Sequence, residues 1–317
     1  MTSILTNTSA MTALQTLKNT NNNLAKAQSE ISTGKSIATA KDNAAIWSIT
    51  KVMEADVNGI NAIKSALNLG GSSVKVASDA SDAVVKELKG IQGLLVNAQA
   101  ENMDRKTLQT SIDNAKASIS GYVTSAQFNG LNLINGKDSA GADYTPDADG
   151  TGPAGTEVNV LAALNRSPTG TVSTESISIE RMSLAYVKPA ADAAPTGSPA
   201  AGASFQDLMD GIVVNIGGGT ALTSEQLGQA LEFVNAALSY ATNVASYFGA
   251  KEAQISNQAD FMSKISDAMT AGIGSLVDAD MEEASARLAA LQTQQQLGVQ
   301  ALSIANQTPQ TLLLLFR

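Results

Sequence analysis

Between Ile46 and Leu95, apolar or small residues recur at alternating steps of three and four: Ile46, Ile49, Met53, Ile60, Ile63, Leu67, Val74, Ala77, Val84, Leu88, Ile91 and Leu95. Only Asp56, Gly70 and Ser81 interrupt them. Such steps gather side chains on one side of an α-helix, and a heptad sustained this long predicts a helix packed in coiled-coil fashion, about 75 Å in length. The stretch "ENMDRKT" breaks the rhythm, and Asp104 is placed to cap the helix that follows. Leu108, Ile112, Ala115, Ile119, Tyr122 and Ala126 continue it as far as "FNGLNLING". There, Asn129-Gly130 and Asn135-Gly136 predict turns around a short strand.

From Lys137 to about Gly219 the pattern changes, and every proline except Pro309 lies in this stretch. "VSTESISIERMSLAYV" alternates as a strand does, and "DGIVVNIGGG" reads as a strand ending in a turn. Helical spacing resumes after a capping box at Thr223 and Gln226. Leu227, Leu231, Val234, Leu238, Ala241, Ala245, Phe248, Ile255, Ala259, Met262, Met269, Ile273 and Leu276 then predict a second very long helix.

The two ends repeat the theme. Ala10, Leu14, Leu17, Asn21, Leu24, Gln28 and Ile31 form one seam, and Met281, Ala284, Leu288, Leu291, Gln295, Gly298, Leu302 and Ala305 form another. Lys18, Lys26 and Glu30 are the only charges up to Ile31, and from Ala284 onward only Arg287 and Arg317 are charged. Helices with so little polar surface are expected to be buried in an assembly. The fold class is therefore mainly α: long coiled-coil-like helices, paired N- and C-terminal helices and a small β-rich outer insert.

Composition narrows the chemistry. The 317 residues include no Cys and no His, which excludes His- or Cys-built zinc sites, His-dependent triads and Cys nucleophiles. A formal charge of -9 argues against nucleic acid or an anionic membrane as partner. The start, "MTSILTNTSAMTALQTLK", has no basic region and no long apolar core of a Sec-type signal. The run Leu312, Leu313, Leu314, Leu315, Phe316 is far short of the roughly 20 residues that span a bilayer. Something else must cover it.

Local motifs add no catalytic or cofactor site. "DADMEE" at Asp278 to Glu283 reads as a helix N-cap with carboxylates in the first turn rather than a metal site. "DADG" at Asp147 to Gly150 lacks the other ligands of a calcium loop, and "IGGGT" lacks the P-loop Lys. Asn7, Asn165 and Asn306 begin glycosylation-type triplets, a pattern too short to weigh. The expected protein is no enzyme and carries neither cofactor nor metal.

Three segments carry a resemblance. "ILTNTSAMTALQTLKNTNNNLAKAQSEISTGKSIATAKDNAAIWSI", with Ala40, Lys41 and Asp42, looks like the start of bacterial flagellins. "AQFNGLNLING" resembles the family's turn, and "LVDADMEEASARLAALQTQQQLGVQALSIANQTPQTLLLLFR" is similar to its C-terminus. The resemblance covers roughly 1–136 and 222–317 and implies a filament subunit of the flagellum, extracellular and exported unfolded by the flagellar type III apparatus. Implied partners are further copies of the chain, other flagellins, the filament cap, hook-filament junction proteins and an export chaperone, without nucleic acid or membrane insertion.

On this reading 1–42 is an inner coiled-coil helix with a connecting spoke, 43–136 and 222–277 are the two halves of a long-helix core, 137–221 is a variable surface domain and 278–317 is the C-terminal inner helix. The polymerisation residues are Ala10, Leu14, Leu17, Leu24, Ile31, Leu288, Leu291, Leu302, Leu312, Leu313, Leu314, Leu315 and Phe316. One departure stands out: where many flagellins carry Arg and Glu residues contacted by a Toll-like innate receptor, this chain has Gly90, Gln92 and Gly93, with Ser111 at the place of a further Glu. Poor receptor recognition is the expectation. Alternative roles are a hook-filament junction protein, or an adhesin or glycan-binding module carried by the insert.

Overall fold

The computed structural model describes residues 7–100, 104–137, 157–167, 171–186, 198–200, 202–213, 215–216, 220–221 and 223–315, with backbone alone at 215–216, 220–221 and 308–315. Among these residues the helices are α1 (Thr8–Thr33), α2 (Ala44–Asn97), α3 (Arg105–Ser125), α4 (Phe205–Asp210), α5 (Ser224–Val277) and α6 (Met281–Leu315). Six strands, β1 (Gln127–Phe128), β2 (Leu131–Asn132), β3 (Val158–Arg166), β4 (Val172–Ile179), β5 (Asn215–Ile216) and β6 (Thr220–Ala221), make three antiparallel pairs in sequence order. The two long helices expected from the heptads are there, each of 54 residues. The chain divides into two compact units, Gly59–Lys264 and the pair of segments Met1–Asn58 and Ile265–Arg317.

In Gly59–Lys264 the α2 heptad is the core. Ile60, Ile63, Leu67, Val74, Ala77, Val84, Leu88, Ile91 and Leu95 are all buried. Ser81 interrupts the apolar series, yet it too is buried, because its hydroxyl donates to the Ala77 carbonyl at 2.7 Å and leaves no free polar group. α5 runs antiparallel to α2: Gln92 Nε2 donates to Asn235 Oδ1 at 2.6 Å, and Lys75 pairs with Glu252 at 3.8 Å. The Asp104 cap is in place, its carboxylate accepting from the backbone N–H groups of Lys106 and Thr107. α3 buries Leu108, Ile112, Ile119 and Val123, the last in place of the expected Tyr122, which is exposed.

The turn at Asn129-Gly130 joins β1 to β2 with both residues at positive φ, 51° and 80°, the conformation that an Asn-Gly hairpin supplies. The alternating stretch from Val172 is strand β4, paired with β3 across a register shift between Leu161 and Ala163. Beyond Ile179 the chain leaves β3 and pairs with the segment after β2: Met182 N–H donates to the Leu133 carbonyl and Leu184 N–H to that of Ile134, both at 2.9 Å. The strand expected from Asp210 begins only at Asn215. A capping box of Ser204 and Asp207 starts α4 just upstream, and that helix runs through Asp210.

The described part of 137–221 does not stand apart from the helices. Gln258 Nε2 on α5 donates to the Ala162 carbonyl at 2.9 Å, and the Tyr247 hydroxyl accepts from Glu180 N–H at 2.8 Å. On α2 the hairpin is seated against glycines. A Cβ at Gly70 would fall 2.4 Å from Val160 Cγ2, and one at Gly59 would fall 3.1 Å from Leu164 Cδ2. This gives the break in the heptad at Gly70 its reason, since the missing side chain is the space that Val160 fills.

Replacing Gly70 by Ala should therefore destabilise this unit. The gain in helix propensity is about 1 kcal/mol, whereas forcing Val160 aside costs about 1–3 kcal/mol. In a Val160→Ala background the penalty of Gly70→Ala should shrink, because only the Cβ of residue 160 then remains close to the added methyl, at 3.1 Å. Thermal unfolding of the two single variants and the double variant reads this directly.

Candidate assembly surface

The terminal helices α1 and α6 pair antiparallel within Met1–Asn58 and Ile265–Arg317. Asn7 caps α1 through Oδ1, which accepts from Ala10 N–H, while its Nδ2 donates to the Ala305 carbonyl of α6 at 2.8 Å. Further along, Gln295 Nε2 donates to Asn21 Oδ1 at 2.8 Å. A Cβ on Gly298 would lie 3.2 Å from Leu17 Cδ1, so the two backbones approach closely there. Arg287 of α6 reaches Glu30 of α1 at 4.0 Å, and Lys26 does the same from α1 itself.

Past the ends of the pair, the two connections are tied together. Gly34 ends α1 at φ 69°, a left-handed position open to glycine. Ser36 N–H donates to the Val277 carbonyl at 2.7 Å, and Ala279 N–H donates to the Gly34 carbonyl at 3.0 Å. Asp280 then caps α6, accepting from Glu282 and Glu283 N–H groups at 2.9 and 3.2 Å. The acidic run is a helix start, as its sequence indicated, and among the described residues no cluster suited to a metal ion is found.

On α6 the inward positions are Ala284, Leu288, Leu291, Gln295, Gly298, Leu302 and Ala305, the residues read from the heptad, with Ala284 and Leu291 buried and the others half-buried. Met281, at the first residue of the helix, is exposed. On α1 the seam is half as expected. Ala10, Leu17, Leu24 and Ile31 face inward, but the intervening positions are Ala13, Thr20 and Ala27, one residue before the predicted Leu14, Asn21 and Gln28. The same one-residue offset occurs on α5, where Ala230, Ala237 and Val244 are buried in place of Leu231, Leu238 and Ala245. On α2, Ile49 is exposed and Thr50 is buried. At Ala13, Ala27, Ala230 and Ala237 the inward residue is small, which lets the helix axes come close.

Leu14 is consequently outside the pair, and it has company. Met11 is 63% exposed, Leu14 57%, Leu297 58%, Val299 55% and Ile304 67%. A shallow groove of about 520 Å³, lined by Thr12, Ala13, Thr16, Gly298 and Ala301 among others, opens along the same pair. Leu312, Leu313, Leu314 and Leu315 continue the α6 backbone, and Phe316 lies outside the described residues. Among the described residues no helix is long and apolar enough to cross a membrane.

The four positions expected to weaken receptor recognition, Gly90, Gln92, Gly93 and Ser111, lie elsewhere, in Gly59–Lys264. Gly90 and Gly93 are exposed on α2 with nothing within 4 Å of where a Cβ would stand. Gln92 is held by Asn235. Ser111 turns its hydroxyl back to the Thr107 carbonyl at 3.1 Å. No carboxylate or guanidinium is offered at any of them.

Residues 4–139 match the bacterial flagellin N-terminal helical region, and residues 231–316 match the bacterial flagellin C-terminal helical region. The chain belongs to the bacterial flagellin family. It is 38% identical to a flagellin of Brucella melitensis over 319 residues, covering all of both chains. It is 35% identical to flagellin C of Rhizobium meliloti, again over the whole of both. With flagellin FljK of Caulobacter vibrioides the identity is 32%, covering all of this chain and 99% of the other. Like other flagellins, it is a structural subunit that polymerises with its own kind into the flagellar filament used for motility.

Proposed function

We propose that α1 and α6 are the polymerisation surface of this flagellin, and that the unfolded chain reaches the outside of the cell through the flagellar type III apparatus. The observation that carries the proposal is exposed apolar surface: pairing α1 with α6 leaves Met11, Leu14, Leu297, Val299 and Ile304 in water, with Leu297 and Ile304 on one flank of the α6 seam and Val299 on the other. Removing apolar surface from water is worth about 25 cal/mol per Å², so neighbouring copies that cover these side chains gain what the lone subunit forgoes. Few charges oppose such burial. Within this reading the filament cap, hook-filament junction proteins and an export chaperone are the further partners, and Ala10, Leu17, Leu24, Ile31, Leu288, Leu291 and Leu302 hold the pair in register.

The test is a double substitution, Leu14→Asp with Ile304→Asp. Both side chains are exposed, so the helical content of the monomer should stay unchanged while seeded elongation falls by at least tenfold. Elongation at the unsubstituted rate would remove the surface from consideration.

The same chain is proposed to be a weak ligand of the Toll-like receptor, since Gly90, Gln92, Gly93 and Ser111 replace charged contacts with neutral ones. In a receptor-reporter cell assay it should activate well below an enterobacterial flagellin at equal monomer concentration. Equal activation would refute this.

A further inference from the structure

A second feature of the terminal unit is polar. A cleft of about 600 Å³ lies between α1 and the segment that leads to α2, lined by Asn22, Lys26, Glu30, Lys35, Lys41 and Asp42 among others. Its two carboxylates are already engaged. Glu30 lies 4.0 Å from both Lys26 and Arg287. Asp42 accepts from the Thr39 N–H and the Thr39 hydroxyl, each at 3.0 Å, and these bonds hold it below the usual carboxylate range.

Lys35 and Lys41 have no such partner: neither forms an ion pair among the described residues. The carboxylates nearest in the fold are turned elsewhere. Glu54, which feels Lys35 at longer range, is bound by Lys51 at 2.6 Å. Asp278 pairs with Lys35 through the backbone, but its carboxylate lies against Gly274. The lining of the cleft therefore carries three lysines, Lys26, Lys35 and Lys41, against the carboxylates of Glu30 and Asp42, an excess of one cation in a chain of formal charge -9.

Most of that negative excess is carried by Gly59–Lys264, where Asp79, Asp82, Glu232 and Asp260 are exposed. Two copies brought together repel over most of their surface, and a cationic cleft is where that repulsion becomes attraction. We propose that this cleft docks carboxylates from Gly59–Lys264 of a second copy of the chain, with Lys35 and Lys41 as the charged contacts. The proposal rests on the assembly reading above and adds to it an electrostatic contact separate from the exposed apolar side chains of α1 and α6.

The experiment is seeded polymerisation of full-length chain carrying Lys35→Glu and Lys41→Glu, measured as critical concentration from low salt to about 1 M, where the screening length falls to about 3 Å. The expected result is a critical concentration raised at least tenfold at low salt, with the difference shrinking as salt rises, and a smaller effect for Lys35→Gln with Lys41→Gln. Circular dichroism of the monomer checks that the helices persist. A variant that polymerises like the unsubstituted chain at every salt concentration would overturn the proposal and leave the assembly reading intact. A defect of equal size at all salt concentrations would overturn it as well, because that marks lost packing rather than lost charge attraction. Failure of the unsubstituted chain itself to form filaments would overturn both.

Discussion

Truncation after Asn306 is expected to leave Gly59–Lys264 folded and to abolish filament formation. The segment removed includes Leu312, Leu313, Leu314, Leu315 and Phe316, an apolar run in an otherwise acidic chain. Burying several such side chains is worth about 1.5–3 kcal/mol each, so on the order of 5–10 kcal/mol of assembly free energy goes with them. Growth of a filament adds one subunit at a time, and a loss of that size raises the critical concentration by more than a thousandfold, since about 1.4 kcal/mol is a factor of ten. The contacts that tie α1 to α6 at Asn7, Asn21, Glu30 and Gly34 all lie on residues that remain. The main thermal transition should therefore be unchanged while electron microscopy of seeded reactions shows no filaments. Filaments of normal length and number from the truncated chain would refute the assignment.

How far the sequence disclosed this arrangement depends on which side chains line a seam. Along α2 most heptad positions from Ile60 to Leu95 carry large aliphatic residues, with Gly70, Ala77 and Ser81 as the exceptions, and all of the apolar residues read as inward there are buried. Along α1 and α5 hydrophobicity favours Leu14, Leu231 and Leu238 over the Ala13, Ala230 and Ala237 that actually face inward, whereas Asn21, Gln28 and Ala245 were placed in the seam only by carrying the same register forward past Thr20, Ala27 and Val244. Leu14 over Ala13 and Leu231 over Ala230 are the same error. Gly298 on α6 gives a complementary signal, since its missing side chain is the room that Leu17 of α1 fills.

That offset also bears on function. Once Leu14 moves from the seam to the surface, it joins Met11, Leu297, Val299 and Ile304, none of which the heptad reading had singled out. An apolar residue outside the seam of a nearly uncharged helix was the available signal. The hairpin of β3 and β4 was half legible: the alternation from Val172 gave the strand, whereas Val160 filling the gap at Gly70 is a contact between residues far apart in sequence. α4 was missed although Ser204 and Asp207 carry the spacing of a capping box, because the apolar run from Ile212 drew attention to a strand instead.

Phe248→Ala should be the most damaging single core substitution in Gly59–Lys264. Only 4% of the chain is aromatic, so large side chains are scarce and each fills space that Ala and Val cannot. Phe248 is wholly buried on α5 and meets Tyr247 edge-on, with ring centroids 5.4 Å apart and planes at 79°. Tyr247 in turn accepts from Glu180 N–H, which lies just beyond β4, so the loss of Phe248 loosens a contact between helix and hairpin as well as the helix core. Truncating a buried Phe costs about 3–5 kcal/mol, through lost transfer free energy and the cavity left behind. Long helices packed along their whole length cannot collapse locally into that cavity, which places the expectation at the upper end of the range. At about 2–4 °C per kcal/mol for a unit of this size, the transition midpoint should fall by roughly 6–20 °C. Phe248→Leu should lose much less, because most of the volume is kept. Below the lowered midpoint, seeded elongation by Phe248→Ala should proceed normally, since α1, α6 and the cleft at Lys35 and Lys41 are untouched. A midpoint within 2 °C of the unsubstituted chain would mean that the core relaxes around the cavity, and the rigid-seam account of this unit would fail.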